Sequence, residues 1–339
     1  MHSRLLVGFT ITLFSVALAA QRPDGQGQGR RGNREITLRD LGLAHFSAER
    51  TAIETKSLRA GRLDCVVYVP KAPADKPADK PADGAESDQT AKPWPVVLWL
   101  HGLNDGFHRF HNEGGAAAID ALRAKGEIDE MLVIVPTVAR QTLYVDGESN
   151  GDVEQALVRD LLAHVEKTWP NVMKDAAHRA VMGVSMGGYG ALKIALRHPD
   201  VFGVVAAHSS AILPADPAEL PDQYERMRDR MGEQLGVNAV FGDPIDPAKW
   251  AAHMPLAIVR DADAKKFAAS KIYFDAGTED RYGFAAPNQA LDAALTEKEI
   301  AHTFRLVEGG GHSWGSDSML DNLGHSFRFV QQAFAPPKK

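Results

Sequence analysis

The sequence predicts an α/β fold, a mostly parallel central sheet with helices on both faces. Three observations predict it. From Trp94 onward, short apolar runs alternate with longer helix-like segments, the pattern of consecutive βα units. The runs "PVVLWL", "EMLVIVP", "RAVMGV" and "KIYFDAG" are apolar almost throughout, as strands buried on both faces must be. Between them, "DVEQALVRDLLAHVEKTWP" puts Val153, Ala156, Leu157, Leu161 and Val165 on one helical face.

The chain's elements follow in order. In residues 1–20, Arg4 precedes an apolar run from Leu5 to Ala20, and Ala17-Leu18-Ala19 fits a small-residue cleavage pattern. This predicts a signal peptide and a secreted or periplasmic protein. The alternative is an uncleaved anchor, for which the run is short against the about 20 residues of a spanning helix. No other stretch approaches that length without charges, so no integral span is expected after cleavage. Residues 21–34, rich in glycine and arginine, predict a flexible linker.

A single domain is expected over 35–335. It opens with two strand-like runs around Ala60-Gly61, a hairpin signal. Residues 71–93 follow, with Pro-Ala-Asp-Lys repeated at 73–76 and 77–80. Such a repeat cannot bury a face and predicts a disordered insertion. After "PVVLWL", the loop "HGLNDGFHRF" leads to a helix in "GGAAAIDALRAKG". Pro170 ends the amphipathic helix, and "RAVMGV" feeds the helix "GALKIALRHP". "VFGVVAAHS", "KIYFDAG" and "HTFRLVEG" are strands, "NQALDAALTEK" and "SMLDNLGHSFRFVQQAF" helices. Residues 213–268 break the alternation with prolines and charges, which predicts a cap-like insertion over the strand ends, where α/β sheets bind ligands.

Composition narrows the function. Hydrophobic residues are 44% of the 339, enough for a sizeable core. The net charge of −6 argues against a nucleic-acid partner, which needs a basic surface. Cys65 is the only cysteine, in a strand-like run, and reads as a buried, inert thiol.

The chemistry gathers at "GVSMGGYGAL". Gly183-Val184-Ser185-Met186-Gly187 fits G-x-S-x-G between a strand and a helix, a sharp turn that lifts a serine oxygen above the sheet. A serine hydroxyl needs a base, and the base needs an orienting acid. Asp280 follows the "KIYFDAG" strand, and His312 follows three glycines after "HTFRLVEG". Asp275 and Glu279 are the rival acids. The first lies at a strand end, where it would cap or pair locally, and the second points elsewhere. His302 and His325 read as structural or exposed. The backbone N–H groups of Leu103 and Met186 are the candidate oxyanion donors. His101, His108 and His111 match no standard zinc spacing, so no metal is expected. Phe107, Phe110, Tyr144, Trp250 and Trp314 could line the site or fill the core.

With these residues in view, "GVSMGGYGAL", "LHGLNDG", "GTEDRYGF" and "GGGHSWGS" resemble an esterase family of α/β-hydrolase fold. It includes esterase D (S-formylglutathione hydrolase), feruloyl and acetylxylan esterases, and mycolyltransferases of the antigen 85 type. The resemblance runs over roughly residues 50–334 and implies no cofactor. It implies Ser185 as nucleophile, Asp280 as acid, His312 as base, and Leu103 and Met186 as oxyanion donors. The repeat at 71–93 and the long 213–268 segment depart from the family.

The expectation is a secreted serine esterase acting through an acyl-enzyme on a small-molecule or carbohydrate ester, acetyl or feruloyl among them. The alternatives are an acyltransferase, a thioesterase of the S-formylglutathione type, a serine peptidase and a non-catalytic binding module. Oligomeric state is not legible.

Overall fold

The hairpin expected around Gly61 is present: β1 (Phe46–Glu54) pairs antiparallel with β2 (Arg62–Pro70), Ile53 opposite Leu63. The turn closes where Thr55 N–H donates to Gly61 O and Gly61 N–H to Leu58 O. In this computed structural model the described residues are 38–71, 92–139, 142–148, 150–220, 237–312 and 317–335. The signal and linker segments, and nearly all of the repeat insertion, lie outside them.

Six more strands complete the sheet: β3 (Val96–Leu100), β4 (Leu132–Thr137), β5 (Arg179–Val184), β6 (Val204–His208), β7 (Lys271–Gly277) and β8 (His302–Val307). The order is β1-β2-β4-β3-β5-β6-β7-β8, and every pair from β4 to β8 is parallel. Strand alternation divides the core. Val96, Leu98 and Leu100 of β3 face one cluster, and Val97 and Trp99 face the other.

Helices cover both faces. On the Val97/Trp99 side lie α1 (Phe107–Asn112), α2 (Gly115–Ala124) and α9 (Asp317–Phe334), through Phe110, Ile119, Leu323 and Phe327. On the other lie α3 (residues 153–168, π-helical over Ala156–Leu161), α4 (Met186–Arg197) and α8 (Ala285–Glu297). Helix α1 was not expected; its six residues fall in what the sequence presents as a loop. It forms because Phe107 and Phe110, three apart, bury against the sheet.

The 213–268 segment contains no strand among its described residues. It supplies α5 (Asn238–Phe241), α6 (Pro247–His253) and α7 (Pro255–Asp261). Asp246 caps α6, its carboxylate accepting from Ala248 and Lys249 N–H, with Pro247 at the first helical position. The segment has a small core of its own, Leu213, Phe241, Trp250 and Met254, which Tyr189 of α4 joins. The Trp250 indole N–H is not stranded there, since it donates to Pro214 O at 2.9 Å. No helix among the described residues is long and apolar enough to cross a membrane. The C-terminal ends of β3, β5, β6, β7 and β8 gather along one edge, where the candidate residues lie.

Candidate active site

Ser185 sits between the last residue of β5 and the first of α4, at φ 58° and ψ −118°. A residue with a Cβ is strained there, by about 1–3 kcal/mol. Three backbone bonds hold it: Ser185 N–H donates to His208 O (2.9 Å), and Ser185 O accepts from Tyr189 and Ala211 N–H (3.0 Å each). The flanking glycines are steric necessities. A Cβ on Gly187 would lie 2.0 Å from Leu100 O, and one on Gly183 would lie 2.4 Å from Gly187 O. Met186 opens α4, so its N–H is among the four that lack an intrahelical acceptor.

Asp280 and His312 meet. His312 Nδ1 lies 2.7 Å from Asp280 Oδ2, and Asp280 Oδ1 accepts Tyr282 N–H at 2.8 Å. The Asp280 side chain is fully buried and that of His312 is 9% exposed. Their loops are stitched together by backbone: Thr278 N–H donates to Val307 O, and Glu279 N–H to Gly310 O. Gly309 N–H adds a bond to Thr278 Oγ1. The rings of Tyr282 and Phe284 stand edge-on to the imidazole, centroids 4.7 and 5.3 Å away.

The β3–α1 loop closes on Ser185. A Cβ on Gly102 would stand 3.6 Å from Ser185 Cβ and 3.0 Å from Asp105 Oδ2. Leu103 begins a turn in which Asn104 has φ 62° and Asp105 N–H donates to Gly102 O. Burial pushes the Asp105 carboxyl up from its ordinary range, opposed by the charges of Arg109, His108 and His312.

His101 fixes that loop. Val138 N–H donates to its Nε2 (3.1 Å), so Nδ1 carries the proton and donates to Gly102 O (2.7 Å). Tyr144 OH also donates to His101 O at 2.8 Å. Burial lowers the His101 pKa to about 4, so the ring is neutral near pH 7. His111 is likewise committed, to Tyr68 OH and Arg39 O. Among the described residues no three His, Cys, Asp or Glu side chains could hold one metal ion.

A buried Ser–His–Asp set joins β6, β7 and α9. His208 Nδ1 is 2.9 Å from Asp275 Oδ2, and Nε2 is 2.9 Å from Ser326 Oγ. Ser326 spends its hydroxyl hydrogen on Leu323 O, so Oγ accepts from His208 Nε2. The trio is buried, and its serine cannot meet a substrate. Its place is structural: His208 O receives the Ser185 N–H. Asp275 thus pairs locally, with Tyr273 OH donating to the same oxygen. Glu279 is exposed, His302 is held by Asp292 and Ile300 O, and His325 is exposed on α9.

Further along α4, a buried charge network anchors the helix that Ser185 begins. Glu154 accepts from Lys193 Nζ (2.5 Å), Arg197 Nε (2.8 Å) and His198 Nε2 (2.6 Å). Burial opposes ionisation of Glu154, but the His198 bond and the bonds and charges of Lys193 and Arg197 outweigh it and hold the carboxyl below its usual range.

Of the aromatics named from sequence, Phe107, Phe110, Tyr144 and Trp250 are core, and Trp314 lies outside the described residues. The rings beside His312 are Tyr282 and Phe284, whose one signal was closeness in sequence to Asp280. Cys65 is buried, and desolvation raises its thiol pKa far above the ordinary value.

Comparison with known proteins agrees with this architecture. S-formylglutathione hydrolase of Bos taurus is 28% identical over 261 residues, 70% of this chain and 83% of the relative. Among solved structures, a ferulic acid esterase superposes with a TM-score of 0.66 at 21% identity, covering 86% of this chain and all of the other. Mycobacterium tuberculosis MPT51 gives a TM-score of 0.63 at 17% identity, covering 85% and 99%. At those identities the structures speak for the fold alone, the α/β-hydrolase fold. The family model described as "Putative esterase" matches residues 86–329, well over half of the chain, and the protein belongs to that esterase family.

Proposed function

We propose that this protein is a serine esterase that hydrolyses carboxylic esters through an acyl-enzyme. The observation that carries the reading is the Asp280–His312 hydrogen bond, in loops stitched together at the same sheet edge as the strained Ser185 turn. Asp280 accepts a hydrogen bond from His312 Nδ1–H, which leaves Nε2 free to act as base. His312 takes the Ser185 proton as Oγ attacks the ester carbonyl. The N–H groups of Leu103 and Met186 receive the oxyanion. His312 then protonates the leaving alcohol, and water repeats the sequence to free the acid and restore Ser185. Burial of Asp280 supports its role, since a desolvated carboxylate holds the imidazolium more strongly than one in water.

The apolar run Leu5–Ala20 supports export, and an exported esterase meets acylated carbohydrates, such as acetyl or feruloyl esters. Identity to S-formylglutathione hydrolases supports a second reading, a thioester substrate. A panel of acetyl, feruloyl and thioester substrates on wild type and Ser185→Ala tests both. Ser185→Ala should lose about 10⁴–10⁶ in kcat. Wild-type activity surviving in that variant would overturn the assignment.

A further inference from the structure

A groove of about 650 Å³ is lined by α8, α7 and the segment after Asp280. Its lining includes Tyr282 and Phe284, the two rings packed on the His312 imidazole, which place this end of the groove next to the histidine. One wall starts at Ile212, the residue after Ala211, whose N–H binds Ser185 O. Leu256 of α7 adds to the lining, and the floor is one stripe of α8, on which Ala286, Ala290 and Ala294 recur every four residues. Those positions span about 12 Å at 1.5 Å per residue. The far rim is charged, with Arg260, Glu297 and Lys298.

We propose that this groove binds the aliphatic acyl chain of the ester, of medium length. The proposal rests on the esterase reading above and names its substrate class. A groove of this volume is large for an acetyl group. Apart from the charged side chains of Glu219, Arg260, Glu297 and Lys298, the lining is mostly apolar, from Ile212, Leu256, Phe284 and the α8 alanines, and the hydroxyls of a sugar would be desolvated against it at a cost. An apolar acyl chain fits that lining better than the hydroxyl-rich alcohol half of a carbohydrate ester does. The length of the α8 stripe matches an extended octanoyl or decanoyl chain, and Glu297 and Lys298 at its far end set the limit.

The test is kcat/KM of the full chain on p-nitrophenyl esters from acetyl to hexadecanoyl, with ethyl octanoate and octyl acetate as the two orientations. Burial of one methylene corresponds to about a fourfold gain, so kcat/KM should rise at least tenfold from butyryl to octanoyl and stop rising beyond decanoyl. Ala290→Trp, on the exposed side of α8, fills the groove without entering the core. It should cut the octanoyl-to-acetyl ratio at least tenfold, with a thermal unfolding curve like that of wild type. A flat or falling series, with Ser185-dependent acetyl hydrolysis intact, overturns the groove and leaves the esterase reading standing. A ratio unmoved by Ala290→Trp overturns it too, as does preference for octyl acetate over ethyl octanoate. Absence of any Ser185-dependent hydrolysis overturns the esterase reading itself.

Discussion

Asp280→Asn is the sharpest perturbation of the proposed machinery, because the surroundings dictate how the new side chain must sit. Asp280 Oδ1 accepts the backbone N–H of Tyr282, a bond that only an oxygen can make. The amide oxygen of an asparagine must stay there, and its NH₂ must face His312 Nδ1, which now lies 2.7 Å from Oδ2. A donor at that position forces Nδ1 to accept. The ring then carries its proton on Nε2, the nitrogen that should take the Ser185 proton. The fold should survive, since volume and one hydrogen bond are kept. Wrong-tautomer substitutions of this kind cost about 10⁴ in kcat, or about 5.4 kcal/mol of transition-state stabilisation. The assay is kcat/KM on a p-nitrophenyl ester, with a melting curve as the control. Glu279→Gln and Asp275→Asn run alongside: the first should be near wild type, the second should lose stability through the buried His208 pair. An Asp280→Asn enzyme within tenfold of wild type would refute the reasoning, and a Glu279→Gln enzyme with the large loss would name a different acid.

Other outcomes follow from the buried polar groups. Glu154→Ala leaves the fully buried Lys193 without its counter-charge and should cost about 3–5 kcal/mol in urea unfolding, whereas Glu154→Leu with Lys193→Met should recover most of it. Ser326→Ala strands His208 Nε2 and should cost about 1–3 kcal/mol, yet leave labelling of the nucleophile by a fluorophosphonate intact, which separates the buried serine from Ser185. Burial lowers His253 to about 3 and His101 to about 4, so the folded state holds fewer protons on them than the unfolded chain does. Stability should therefore fall as pH drops below about 6.5, by about 2–4 kcal/mol between pH 7 and pH 5 from these two rings. Denaturant midpoints across that range check it, and His253→Gln should flatten the slope.

The strands were legible because burial on both faces leaves an uninterrupted apolar signature; "RAVMGV" and "KIYFDAG" coincide with β5 and β7. The Ser185 turn was legible because its sterics admit no side chain at Gly183 or Gly187, so the glycine spacing records the geometry. Asp280 and His312 could be named because each follows a strand that the pattern marked. Helix α1 was hidden by its length, since six residues with two phenylalanines look like a loop bearing aromatics. Which aromatics reach the site depends on where loops pack, so Phe107 and Trp250 looked as eligible as Tyr282. Ser326 was out of reach for another reason. It stands 118 residues from His208, and no local pattern joins them.

That long-range contact explains how a strained turn persists. The Ser185 conformation costs about 1–3 kcal/mol, and something must oppose its relaxation. The N–H of Ser185 is fixed by His208 O, and a carbonyl is only as rigid as its residue. His208 is clamped at both ring nitrogens, by Asp275 of β7 and by Ser326 of α9. Tyr273 OH and the backbone bond from Ser209 N–H to Asp275 O tighten the same joint. On the other side of the serine, α4 is tied down through Lys193 and Arg197 to Glu154. The turn is therefore gripped at its strand side by the buried His208–Asp275–Ser326 trio in one core and at its helix side by an ion cluster in the other. The Glu154–Lys193 pair and the His208 trio are buried, so salt screens them little, and a loss on either side has a path to the serine through a single backbone hydrogen bond or a single helix.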